Sequence, residues 1–184
     1  LRYANNPTLR SYLLVRLHQL GTPYSLLAAR LRSETEPEVQ RSLILSLGAY
    51  DPLKISAGDQ ALIVQELLLL YQTCPDAGVH SAADWTLRRW HQEEALRAGA
   101  PVGTVTAPAG KGNWLMTSRG ETFVRVSGPV SVTLFEKTNQ TVPTQVALDY
   151  PFAMAAREVT IHEFRQFDPA WEYDATYAPK LDCP

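Results

Sequence analysis

The chain has 184 residues with 17 Lys plus Arg against 19 Asp plus Glu, a formal charge of −2. That near-balance argues against a domain that grips nucleic acid by neutralising phosphates, which needs a basic excess. Apolar residues at 45% and charged residues at 20% exclude a disordered chain and supply a core.

The composition divides in the middle. Residues 1–97 hold 20 of the 24 leucines, whereas valine rises from 4 to 9 and threonine from 5 to 10 beyond that point. Leucine favours helix, and Val and Thr fit a pleated surface. The expectation is an α+β chain with a helical domain over 1–97, a Gly/Pro linker over 98–113 and a β-rich part over 114–184.

Five helices are predicted in the first part. Asn6-Pro7 opens the first, with Leu9, Leu13, Leu17 and Leu20 on one face and Gly21 as its stop. Thr22-Pro23 opens the second, with Leu26, Leu27 and Leu31. Thr35-Glu36-Pro37-Glu38 reads as a capping box before Val39, Leu43 and Leu47. Asp59 is the expected cap of a helix carrying Leu62, Ile63, Leu67 and Leu70, and Asp76 that of one running through Ala82, Ala83, Leu87 and Trp90. Amphipathic helices joined by short turns resemble stacked HEAT-like hairpins, whose grooves take protein partners.

Residues with chemical potential lie in these helices. His80, with Asp76 and Asp84 at helical spacing, can be a metal or acid–base cluster, or a capping Asp beside a surface histidine, which the local pattern favours. Arg88-Arg89-Trp90-His91 has Glu93 and Glu94 at helical distance, which predicts intrahelical ion pairs. Trp85 and Trp90 are expected to anchor packing, and His18 to face solvent. Cys74 and Cys183 lie far apart with no Cys-x-x-Cys motif, so two free thiols in a reducing compartment are expected, with Cys74 inert. No apolar run reaches the roughly 20 residues of a membrane-spanning helix. A cytoplasmic setting follows as the favoured one.

In the second part, Trp114 to Ser118 is an expected strand. Glu121 to Ser127 and Val130 to Glu136 alternate with period two about Gly128-Pro129, predicting adjacent antiparallel strands. Gln145 to Asp149 is expected to pair with the segment of Phe152, Met154 and Ala156. Thr160-Ile161-His162-Glu163 is a capping box opening a short helix with Phe164 and Phe167 inward and His162 on the surface. The acidic residues Asp168, Glu172, Asp174 and Asp182 read as a solvated tail. Gly110-Lys111-Gly112 lacks the spacing of a phosphate-binding loop.

Two of these segments resemble the formylglycine-generating enzyme (sulfatase-modifying factor) family. Thr122-Phe123-Val124-Arg125-Val126-Ser127-Gly128-Pro129 is similar to its opening strand and turn. Tyr150-Pro151-Phe152 through Arg157-Glu158-Val159-Thr160-Ile161-His162-Glu163-Phe164 is similar to its hallmark strand and helix start. Cys183-Pro184 stands where the family commonly has a Pro leading into a Val-Ser-Trp stretch. The resemblance covers roughly residues 119–184 and implies the amino-terminal part of a C-type-lectin-like domain. Pro75 to Trp90 also resembles a segment that precedes such domains in large bacterial multidomain proteins. Some of those proteins carry a kinase domain upstream, whose catalytic motifs do not occur in this chain. Family members oxidise a sulfatase cysteine using copper held by cysteines, or form sulfoxides using iron held by histidines. The blocks that carry this chemistry belong to the later part of the domain. The chain therefore reads as an inactive excerpt of a longer protein, with no catalytic, cofactor or metal residue of its own and copper or iron expected in the parent. A non-catalytic interaction scaffold is the alternative.

Overall fold

The structure, a computed structural model, describes residues 12, 14, 16–99, 105–106, 112–117, 120–134, 144–174 and 176. The fold is mixed α+β, as the composition predicts. It divides into two compact units, Leu1–Glu121 and Thr122–Pro184. The strand expected after residue 113 thus belongs with the helices.

In the first unit the opening helical turns end at Gly21, where Thr22 N–H reaches Leu17 O and Gly21 N–H reaches His18 O. Leu9 and Leu13 lie outside the described residues. Helix α1 (Tyr24–Ser33) follows Pro23 and buries Leu27, Ala28 and Leu31, while Leu26 faces out. Helix α2 (Pro37–Gly48) starts with Pro at its first position. The expected Thr35 box does not form. Instead the buried Glu34 carboxylate accepts the N–H groups of Thr35 and Glu36, both at 2.9 Å, and pairs with Arg30.

A short 3-10 turn at Pro52–Lys54 leads to α3 (Ala57–Thr73). Its cap is Ser56 rather than Asp59. The Ser56 hydroxyl accepts the Asp59 N–H, and the Asp59 carboxylate accepts the hydroxyls of Ser56 and Tyr24. Helix α4 (Ala77–Arg89) is capped by Asp76, as expected, through the Val79 N–H at 2.9 Å. It ends before Glu93. Gln92 N–H bonds Leu87 O, His91 N–H bonds Arg88 O, and His91 sits in the left-handed region at φ 58°. Helix α5 (Glu93–Gly99) then starts anew, so Glu93 and Glu94 lie in its first turn.

Helix α4 is central, packing on both α2 and α3, with α1 on α2 and α5 against α3 and α4. Ile44, Leu47, Ile63, Leu67, Val79, Ala83 and Leu87 are enclosed there. Each large apolar side chain among them contributes about 1.5–3 kcal/mol on leaving water. Thr86 Oγ1 donates to Ile44 O and Arg89 Nε to Gly48 O, satisfying carbonyls near the end of α2. Strand β1 (Val105–Thr106) pairs antiparallel with β2 (Trp114–Met116), Val105 opposite Met116.

The second unit holds β3 (Thr122–Val126), β4 (Val130–Leu134), β5 (Thr144–Leu148), β6 (Phe152–Ala155) and α6 (Ile161–Phe167). The strands are where alternation puts them, but their partners differ from the expected ones. β3 pairs antiparallel with β6, Phe123 opposite Ala155 and Val126 opposite Phe152, while β4 pairs with β5. Pro129 and Pro151, at the two corners, lack the N–H that would carry a ladder across them. The β4–β5 pair is therefore an excursion between the paired strands β3 and β6.

The predicted capping box at Thr160 forms. Thr160 Oγ1 accepts the Glu163 N–H, and the Glu163 carboxylate accepts the Thr160 N–H and pairs with Arg157. Burial pushes the Glu163 carboxyl up, but the Arg157 and Thr160 bonds outweigh it and hold it below its ordinary value. Ile161 is the residue α6 buries; Phe164 is partly exposed and Phe167 is 81% exposed, not inward. Thr160→Ala is expected to lose about 0.5–2 kcal/mol of local stability. Amide exchange across 161–167 checks this, and unchanged protection there would remove the cap from the account.

Candidate functional site

A polar–aromatic cluster lies where α3, α4 and β2 meet. Tyr71 is in the last turn of α3, His80 in the first turns of α4, and Trp114 and Met116 alternate on the buried side of β2. The His80 ring lies between two parallel rings, with centroids 4.5 Å from Tyr71 and 3.8 Å from Trp114. Its Nδ1 stands 2.6 Å from Tyr71 O, which fixes the proton on that nitrogen as the donor. Tyr71 OH donates to Met116 Sδ at 2.9 Å, and Trp114 Nε1–H donates to Cys74 O at 2.9 Å. Asn113 joins the strand to the start of α4: its N–H reaches Pro75 O, and its Oδ1 accepts the Ala77 N–H at 2.9 Å.

His80 is therefore not the surface histidine expected; it is 0% exposed. Burial lowers its pKa, against the Tyr71 carbonyl and the charge of Asp84. Burial also pushes the Tyr71 phenol up to about 12 and the Cys74 thiol up. Asp84, expected as part of a cluster with His80, is buried and bonds Arg88 Nε through both oxygens, at 2.9 and 3.0 Å. Asp76 is spent as the α4 cap. Tyr71 thus stays protonated and Cys74 stays a thiol, so the cluster clasps β2 and offers no activated nucleophile.

A second feature is a surface depression of about 510 Å³ on α1 and α3. Leu62, Gln65, Leu69 and Gln72 form its floor along α3, and Arg32 and Glu66 pair across it at 3.3 Å. Leu62 and Leu69 are 55% and 58% exposed. Burial raises the Glu66 pKa and Arg32 opposes it.

The other residues singled out from the sequence are scattered. Arg88 pairs with Asp84, so the pairing expected with Glu93 and Glu94 gives way to a partner one turn earlier. Trp90 is buried as expected, whereas Trp85 is 43% exposed and carries the Arg89 guanidinium over its ring at 5.5 Å. His18 does not simply face solvent: it packs edge-on against Tyr50 at 5.7 Å. His162 is exposed. Asp168 and Asp174 bond the amides of Ala170 and Thr176 in local turns. Gly110, Lys111, Asp182 and Cys183 lie outside the described residues.

Among the described residues no group of three or more His, Cys, Asp or Glu side chains is placed to hold a metal ion. No helix among the described residues is long and apolar enough to cross a membrane. No family model, curated protein or solved structure matches the chain.

The central role of Trp114 and the buried carboxylate of Glu34 escaped the sequence reading. Asn113-Trp114-Leu115-Met116 does carry a signal, since a strand of two large apolar residues in alternation beside a Gly/Pro-rich stretch needs a surface to cover.

Proposed function

We propose that this chain is a HEAT-like stack of helical hairpins followed by the opening part of a formylglycine-generating-enzyme-like domain, C-type-lectin-like in fold. The parent activity under this reading is a metal- and oxygen-dependent oxidation of a protein cysteine or a small thiol compound. The observation that carries the reading is the pairing of the two resemblance segments. Thr122–Pro129 and Tyr150–Phe164 are separate in sequence, yet β3 of the first bonds β6 of the second along its length. At the corner, a Cβ on Gly128 would stand 2.6 Å from the Tyr150 carbonyl, so the Gly-Pro turn of the first segment needs its glycine against the second. The Glu158-Val159-Thr160 run ends in the box that opens α6. The sequential packing of α1 on α2 and α3 on α4, with α2 against α4, supports the HEAT-like part.

The described residues supply no ligand set, so no chemical step is derived through copper or iron. In the family, the ligands belong to the later part of the domain. The test is to read the encoding gene past Pro184 and express its whole product with copper or iron. Tryptophan-rich family blocks, and oxygen uptake that requires both metal and a cysteine peptide, are expected. A gene without those blocks overturns the reading. It would leave the second one, a scaffold whose exposed Leu62 and Leu69 stripe takes the apolar face of a partner's amphipathic helix.

A further inference from the structure

We propose that residues 113–116 form a strap on the helical unit, latched by the uncharged ring of His80 and released when that ring takes up a proton. The strap's polar attachments to the helices converge on one place. Asn113 bonds Pro75 and Ala77, Trp114 bonds Cys74 O, and Met116 accepts the Tyr71 hydroxyl. The Trp114 ring itself rests on His80, and both are sealed from solvent. The strap can leave without unwinding a helix, because none of these bonds belongs to a helical ladder beyond the free first turn of α4.

Protonation puts a full charge between two aromatic faces in a site closed to water. The ionisable groups around it include Tyr71 on α3, Cys74 and Asp76 in the turn, Asp84 and Arg88 on α4, and Arg41 of α2, whose guanidinium reaches Gly78, beside Asp76, at the start of α4; β2 brings none. Tyr71 and Cys74 are neutral, and Asp76 caps its helix. Asp84 favours the imidazolium, but its carboxylate is already held by both bonds from Arg88. The stacked rings give the charge some cation–π support. Burial is still the largest influence on His80, and it favours the neutral form. The sign follows. In the released strap His80 meets water and has its ordinary value, near 6.5. The latched form binds fewer protons, so the latch is at full strength above about that pH and weakens as pH falls below it.

Hydrogen exchange on the chain reads this directly. Between pH 7.5 and 5.5, protection of residues 112–117, corrected for intrinsic rates, is expected to fall several-fold, with about tenfold as the ceiling, because the released ring takes up a proton near its ordinary value while the latched ring resists it. Helices α2, α3 and α4 should keep theirs. His80→Phe, which keeps a ring in the stack and cannot titrate, should make strap protection independent of pH. If that variant does not fold, the His80 ring resonances of the unmodified chain decide. Titration below the ordinary histidine range, together with strap release, supports the latch. Titration with the strap still protected overturns it, as do pH-independent protection, an equal fall in His80→Phe, or parallel loss of protection in the helices.

Discussion

Trp114→Ala is expected to lower the stability of the helical unit by about 3–5 kcal/mol, the range for emptying a buried large aromatic site. The ring is 2% exposed, so its removal opens a void against His80. It also strips the Cys74 carbonyl of its indole donor, and an unsatisfied buried acceptor adds about 1–3 kcal/mol of its own. The two effects do not simply add, because the strap can let go. Once residues 113–116 detach, water reaches both the void and the carbonyl. The loss seen by the helices is then limited to the free energy with which the strap docks. Urea unfolding followed by helical circular dichroism measures it. Trp114→Phe keeps a ring on His80 but not the indole N–H, so it should fall between the native chain and Trp114→Ala. A loss below about 1 kcal/mol for Trp114→Ala would mean that the ring does not hold the strap, given that even an ordinary buried hydrogen bond is worth about that much.

The signals that proved legible are local ones. Asp76 before α4 and Thr160 before α6 each accept an amide three residues on, and each sits where the sequence puts it. Ser56 and Asp59 show the ambiguity of that grammar. Both are cap-forming residues three apart, and only the backbone decides which one accepts. Burial was less legible, because it depends on what arrives from elsewhere. The reading of α4 took one apolar face, through Ala83 and Leu87. Yet α4 is covered on several sides, so His80, Asp84 and Thr86 are buried too. The ring that closes over His80 comes from residue 114, beyond a Gly/Pro-rich stretch. In the second unit, alternation located β3 and β4, since period two is a property of one strand. Pairing is a property of two, and the prolines at 129 and 151 were its only local clue. The resemblance to a family came from two short segments. Their strands, β3 and β6, lie side by side in the sheet.

Gly48→Val sets two effects of known size against each other. Glycine in a helix gives away about 1 kcal/mol relative to alanine, so replacing it has a favourable component. Valine recovers only part of that, because a β-branched side chain loses rotamer freedom in a helix. Against it stands a close approach of α2 to α4. A Cβ at Gly48 would lie 2.4 Å from Trp85 Cζ3 and 2.9 Å from Thr86 Oγ1. The Trp85 ring is half-exposed and can swing outward, at the expense of its contact with the Arg89 guanidinium. Thr86 cannot follow, since it is enclosed and its hydroxyl is bonded to Ile44 O on the facing helix. The helices must therefore separate at that point, and overpacking of this kind costs about 1–3 kcal/mol, which exceeds the propensity gain. A net loss is expected in urea unfolding. Gly48→Ala should lose less, because it brings the clashing Cβ without the two further methyl groups of valine. Combining Gly48→Val with Trp85→Ala separates the two obstacles. If the indole is the main one, the pair of changes loses less stability than the sum of the single changes; if Thr86 is, the losses add. A Gly48→Val chain as stable as the native one would mean that α2 and α4 do not meet this closely.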